Sequence, residues 1–465
     1  MKICIEELSI FGHKRRIMKL KTMTVFLAAA ALLCSLSSCT GDTSQSASVG
    51  TWQDATFLMD NARLPVIGSD GNGNTIAVWW QSDGLYSALF DQGQGWKTPQ
   101  KIVGSESLAV SLSDVHLAVN AKGDAIVAWV HTDLGEFIQT VQTARYTVSS
   151  GWSTPQQLTP PNNMVFNLDI ALDASSNAVI AWEGLNPTSR RNIVVSYSMS
   201  ASGWDSPHTF GADNRFAQYP KIAVDSAGNA FVLWLEGESY PNNVYVNRYS
   251  PDTGWSSPQQ IATNVGPAAW TNISFDNSGN AMAVWGQSDS SDYPRIYSCR
   301  YVAGSGWGSS EAVDSNTLDS IEPALTVDSS GSFRSVWVQF NGTGNDIYGS
   351  RYAAGSGWGA PQLIGTGGNA RSPRVATDGL GNAFAVWQQY DPSDVNPGDA
   401  KVYANRFTAG SGWGSQRQLK NASGGADAPE LAVDSLGHAT VIWSQSVGYI
   451  TPGEIKYGIF ADRFQ

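Results

Sequence analysis

With 465 residues, 47 glycines, 18 tryptophans and only 15% charged residues, the chain is composed for strands, turns and aromatic packing. No extended segment keeps an apolar 3.6-residue period, which argues against a helical protein. A formal net charge of −12 argues against nucleic acid or an anionic lipid surface as a direct partner.

At the N-terminus, basic Lys14, Arg15, Arg16, Lys19 and Lys21 precede the apolar run Val25–Leu33, which is too short for a stable membrane span. The run leads into Leu36-Ser37-Ser38-Cys39, which resembles the box of bacterial lipoproteins, whose last cysteine carries the lipid. The expectation is a signal peptide over 1–38, a lipidated flexible tether over 39–49 with Cys39 acylated, and a folded unit over 50–465. Residues before Met18 add nothing to such a signal, so Met18 or Met23 serves equally well as the start. Removing 1–38 takes away six Lys or Arg and two Asp or Glu, carrying the net charge from −12 to −16. Cys4 and Cys34 leave with the leader, so Cys299 stands alone and no internal disulfide is expected. Thr40 follows the cysteine in place of the Asp that retains enterobacterial lipoproteins in the inner membrane, which favours an outer-membrane anchor, periplasmic or surface-exposed.

From Gly50 onward the chain repeats itself. AVDSAGNAFVLWLE at Ala223–Glu236 returns as TDGLGNAFAVWQQ at Thr377–Gln389 and VDSLGHATVIWSQ at Val433–Gln445. The tryptophans of this phrase stand at 79, 129, 182, 234, 285, 337, 387 and 443, a spacing of 50–56 residues. Between them runs a second phrase built on Gly-Trp, with Trp96, Trp152, Trp204, Trp255, Trp307, Trp358 and Trp413. Each unit reads as four short strands. In the fourth unit these are Pro220–Val224, Ala230–Glu236, Val244–Ser250 and Gly254–Ile261. A turn Asp225-Ser226-Ala227-Gly228-Asn229 joins the first two, with Gly228 suited to positive φ and Asp225 to capping turn N–H groups.

The chain ends decide between a ring and an open stack. The eighth unit stops at Arg463-Phe464-Gln465 without a Gly-Trp strand, whereas the first is preceded by an orphan Gly50-Thr51-Trp52. A ring uses that strand to complete its last sheet; an open solenoid gains nothing from it. The expected fold is therefore all-β: an eight-bladed propeller of four-stranded antiparallel blades, closed by an N-terminal strand pairing with the C-terminal blade.

Other positions recur as well. Third strands carry Arg145, Arg248, Arg300, Arg351, Arg406 and Arg463, each expected to pair with a turn Asp or a neighbouring carbonyl. Two residues after the second-strand tryptophan stand Gln81, His131, Glu236, Gln287, Gln339, Gln389 and Gln445, with Gly184 the exception.

The eightfold Ala-x-Asp…Gly…Trp phrase resembles eight-bladed propellers of the quinoprotein type. That group includes quinone-dependent dehydrogenases and an outer-membrane lipoprotein that assists the assembly of membrane barrels. The chain departs from the signature: a Gly-Asn-Ala triplet replaces Thr-Gly-Lys, and the adjacent cysteines of the dehydrogenases are missing. The resemblance thus implies the architecture of Gly50–Gln465, and no quinone or other cofactor is expected.

No Gly-x-Ser-x-Gly elbow, phosphate loop or metal-ligand spacing of histidines is present, and no catalytic residue stands out. Asp276-Asn277-Ser278-Gly279-Asn280 and its copies read as capped turns rather than calcium loops, so no metal is expected. A pair of acids at glycosidase separation is compatible with the sequence, but nothing marks one out.

Ligand contacts are expected where the units differ. The second-to-third-strand loops bring Tyr240, Tyr293, Tyr390 and Tyr449 to one face, and aromatic platforms beside polar groups suit sugars or protein loops. Trp270 breaks the repeat just before the first strand of unit five, where Tyr219, Glu322 and Asp114 hold the equivalent place, near the mouth of a central channel. Trp80, beside Trp79, faces the other side of its strand. The expected function is a monomeric, non-enzymatic scaffold for a protein or glycan. The alternative is a polysaccharide-acting hydrolase or lyase using top-face carboxylates.

Overall fold

The computed structural model describes residues 50–465, apart from the segments 105–113, 134–137, 161–163, 186–189, 200–202, 239–242, 264–265, 289–292, 315–317, 391–399, 420–423 and 452–453. Cys39 and Tyr240 lie outside the described residues. Eight antiparallel sheets follow one another along the chain. In blade four, Phe216–Val224, Ala230–Gly237 and Asn243–Ser250 pair in sequence order. The outer strand then comes in two pieces, Gly254–Trp255 and Gln259–Thr263, both laid on the third strand. Such a break, not expected from the sequence, recurs in the first seven blades. Pro99, Pro155, Pro207, Pro258 and Pro361 occupy it in five of them, where a residue without an N–H suits a gap in the ladder. Ser310 and Gln416 stand there in the other two, so the kink belongs to the backbone of the repeat and proline only accommodates it.

The first strands stand side by side, each against that of the next blade, and Ala62–Ser69 of blade one meets Ala426–Val433 of blade eight. The series therefore closes into a ring. Its seam is built from both ends of the chain: Thr56–Asp60 pairs antiparallel with Glu454–Phe464, and Trp52 bridges Phe464. Thr51 N donates to Gln465 O at 2.7 Å and Gln53 N to Arg463 O at 2.8 Å. Trp52 also packs edge-on against Phe384 of blade seven and Phe464 of blade eight.

Burial explains the repeated phrases. All eight second-strand tryptophans are no more than 2% exposed. Each contributes on the order of 4–6 kcal/mol as an upper bound from apolar area. In five blades the Gln or Glu two residues on is the indole's acceptor. Trp285, Trp337, Trp387 and Trp443 donate to Gln287, Gln339, Gln389 and Gln445 at 2.9–3.1 Å, and Trp234 to Glu236 at 3.0 Å. Side chains two apart share one face of a strand, which is why that spacing works. The turn aspartates are capped as expected: Asp225 Oδ1 accepts from the Ala227 and Asn229 amides at 2.9 Å, and Oδ2 from Asn229 Nδ2 at 2.8 Å. Some repeated arginines reach the next blade's rings, with Arg463 4.2 Å over Phe90 and Arg406 4.9 Å over Phe464. Others bond turns, as Arg145 does to Ser176 O at 2.7 Å. Trp80 is buried in the core shared by blades one and two. Cys299 is buried and unpaired, and burial first, then the charge of Glu311, pushes its thiol up to about 11.

Candidate ligand-binding site

Among the described residues, seven of the eight first strands carry a bulge at the same place. In blade four Gln218 pairs with Leu235 and Lys221 with Leu233, so Tyr219 and Pro220 together oppose Trp234. The same two-against-one arrangement sets Trp270 and Thr271 opposite Trp285, and Glu322 and Pro323 opposite Trp337. The first bulge residue takes a left-handed backbone, with φ of 51° at Leu64, 42° at Asn167, 57° at Tyr219, 53° at Trp270, 54° at Glu322 and 50° at Ser372. Non-glycine residues rarely adopt this region; here it recurs around the ring, held each time by the bulge. Trp270 thus lies inside Ala268–Phe275 rather than before the strand as its sequence position suggested, because the bulge lengthens the strand past the expected start.

Inside these bulges a cavity of about 690 Å³ opens on the axis, with residues from blades one, two and four to eight on its wall. Trp270 and Glu322 line it. Tyr219 stands beside them, its carbonyl accepting from Thr271 Oγ1 at 3.4 Å. Trp270 is 44% exposed and Tyr219 46%. The indole of Trp270 lies across Gly286, where a Cβ would come 2.9 Å from its Cε3. Other blades carry a side chain there, such as Leu235 or Val338, so blade five has a vacated shelf on which the large ring rests. Asp114 is half-buried just ahead of Val115–Val119. Tyr293, Tyr390 and Tyr449 are not among the described residues lining the cavity. Tyr293 and Tyr449 are exposed, whereas Tyr390 lies half-buried with the Arg371 guanidinium 5.4 Å over its ring.

Two residues after the first bulge residue, and at the matching place in blade two, comes a second ring that sequence reading missed: Val66, His116, Asp169, Lys221, Asn272, Ala324, Arg374 and Glu430. Its signal is visible in retrospect, since this is where a mostly apolar strand phrase turns polar in six units of eight. Arg374 grips Glu430, Nη2 to Oε1 at 2.7 Å and Nε to both carboxylate oxygens at 3.0–3.1 Å, and the charge of Glu430 raises the guanidinium's pKa. His116 Nδ1 is 3.3 Å from Asp169 Oδ1, and the Ile222 amide donates to Asp169 Oδ2 at 2.9 Å. Burial alone would raise the Asp169 pKa; Lys221, His116 and that amide outweigh it and hold it below the ordinary carboxylate value. Lys221 and Asn272 line the cavity, and their side chains make no hydrogen bond among the described residues.

A third layer supports the bulges. Glu183, fully buried, accepts from Asn167 Nδ2 at 2.6 Å, from the Tyr219 amide at 2.8 Å and from Arg191 Nη1 at 2.8 Å. One carboxylate thereby fixes the left-handed residues of blades three and four. Glu322 does the same between blades six and seven, accepting from the Ser372 amide at 2.6 Å. The described carboxylates of the wall are thus committed to hydrogen bonds, leaving blades four and five with exposed rings and unbonded polar ends.

No protein-family model matches this sequence, and no curated protein sequence does. Among solved structures the chain is similar to the polysaccharide lyase Uly1, at 11% identity over 87% of this chain and 99% of that one, with a TM-score of 0.48. It is also similar to the β-propeller domain of the Trilobed protease from Pyrococcus furiosus (9% identity, 80% and 98% covered, TM-score 0.45). A third likeness is to puromycin hydrolase (14% identity, 84% and 60% covered, TM-score 0.46). Likenesses this distant carry no statement about chemistry in this chain.

Proposed function

We propose that this is an exported propeller, tethered to the outer membrane of a bacterial envelope through Cys39, that serves as a non-enzymatic binding scaffold. A protein or glycan is held at the channel mouth. The observation that carries the reading is Trp270: an indole held at positive φ, resting on a glycine shelf and 44% exposed at the rim of a 690 Å³ cavity. Covering the exposed part, on the order of 100 Å², contributes about 2–3 kcal/mol. Lys221 and Asn272 supply donors beside it, and aromatic faces next to unbonded polar groups suit a sugar ring or a protein loop. The tether is supported by the Leu36–Cys39 box. On a glycan array or in a pull-down from envelope extracts, Trp270→Ala is expected to reduce retention at least tenfold; undiminished binding would remove the mouth from consideration.

A second reading, a lyase or hydrolase acting on polysaccharide, draws on one observation: the His116–Asp169 pair stands in reach of the cavity with Lys221 alongside. A histidine oriented by a carboxylate is suited to moving a proton. Turnover of a polysaccharide panel that disappears in His116→Ala would favour this reading over the first.

A further inference from the structure

The interface of blades six and seven holds a separate constellation, near the Asp328 turn and so at the opposite end of the inner strand Ser320–Val327 from Glu322. Around the ring the recurrent third-strand arginine faces an uncharged residue across the ladder: Ile126 opposes Arg145, Phe231 opposes Arg248, Met282 opposes Arg300 and Phe384 opposes Arg406. In blade six it faces another arginine, Arg334 against Arg351. Like charges directly opposite one another are destabilising. Arg334 is only 6% exposed, lies 3.8 Å over the ring of Phe407, and donates no hydrogen bond to any described residue, its Nε being sealed and unpartnered. Arg300 and Arg406 share the sealed, unpartnered Nε, but as residues they are half-buried, whereas Arg334 is buried. Arg351 gives Nη2 to Ser332 Oγ at 2.7 Å and lies 3.6 Å from Asp328. Burial, then the charge of Arg351, draws Arg334 down to about 10, so its guanidinium stays charged at neutral pH.

Beside this pair opens a cleft of about 300 Å³, lined also by Gly349 and Trp413. In two other interfaces the equivalent indole N–H is satisfied by a serine, Trp152 by Ser87 and Trp358 by Ser298, both at 2.8 Å. The residue matching those serines here is Gly349, which offers no side-chain acceptor, and the Trp413 N–H makes no hydrogen bond among the described residues. Three donors with unused capacity and two like charges thus share one cleft.

We propose that this cleft binds an oxyanion, a sulfate, phosphate or carboxylate group, between Arg334 and Arg351 with the Trp413 N–H as a further donor. Guanidinium forks match such groups in geometry, and an anion removes the repulsion that the cross-strand pair imposes. The chain's overall acidity acts weakly there, since the Debye length at physiological salt is about 8 Å.

Thermal melting and isothermal titration test the site with sodium sulfate, phosphate and glucuronate against sodium chloride at equal ionic strength. The three salts separate an inorganic anion from a sugar carboxylate. At millimolar concentration the preferred oxyanion is expected to raise Tm by about 2 °C or more. A crystal soaked in selenate is expected to give an anomalous peak between the two guanidiniums. Arg334→Ile installs the residue that blades one and two carry at this position, Ile76 and Ile126. It is expected to melt no lower than the native chain in chloride and to gain nothing from oxyanions. Equal gains in chloride and oxyanion, or in variant and native chain, overturn the proposal. Should that variant fail to fold, Arg351→Leu, after Leu89 of blade one, is read in the same way.

Discussion

Opposite sectors of the channel mouth share one backbone and differ in their side chains. On the side of blades seven and eight, Arg374 and Glu430 close on each other through three short contacts and leave little to offer a ligand. On the side of blades four and five, Tyr219 and Trp270 stand exposed while Lys221 and Asn272 end in unbonded polar groups. The bulge that presents all of them is the same. What each sector presents to the cavity is therefore set by the departures from the repeat, and the left-handed bulge is the frame on which they are mounted.

The comparison is broken most severely by Glu183→Ala. It strips the Tyr219 amide, Asn167 and Arg191 of a buried partner, and a loss of about 3 kcal/mol is expected in urea unfolding. A loss below about 1 kcal/mol would mean that the bulges hold themselves. Gly286→Val comes next. Its side chain takes the shelf under Trp270, and retention of the ligand should fall at least tenfold while stability changes by no more than about 1–2 kcal/mol. Binding that survives would show that the indole's seat is irrelevant.

On the opposite side, a double-mutant cycle on Arg374→Met and Glu430→Leu is expected to give a coupling of about 1 kcal/mol or less, because both side chains are partly solvated. Ligand binding should be unchanged. A tenfold loss there would erase the distinction between the sectors. The smallest effect concerns pH. The Asp169 pKa is depressed in the folded chain, so its contribution is present above the unfolded value of about 4 and is lost as pH falls through the lower folded value. Lys221→Met removes the leading favourable influence, so the acid limb of the stability curve should move to higher pH; a shift to lower pH would contradict the assignment.

Much of the fold was legible because the repeat speaks eight times. Tryptophan spacing identifies the blades, and the mismatch between Trp52 at the start and Arg463 at the end identifies the seam. The four-strand division missed the kink at Pro258 because a two-residue pairing such as Gly254–Trp255 leaves no periodicity to detect. At the mouth, Trp270, Tyr219, Glu322 and Asp114 could be aligned from sequence, since departures from a repeat are easy to see. The second ring, Lys221 and Arg374 among it, was passed over because its members resemble ordinary polar residues until the bulge turns them to the axis. In the sequence Glu183 is marked only by following Trp182; its three partners come from two blades.

Sequence alone determined the number of blades, their order and the joint between head and tail, because these follow from local turn chemistry and from apolar spacing that every unit repeats. Only the tertiary structure decided which polar side chains are spent on one another and which are left facing the cavity. That partition depends on contacts between residues far apart in the chain on adjacent blades, such as Glu183 with Tyr219, 36 positions on, and Arg374 with Glu430, 56 positions on, which no local pattern encodes.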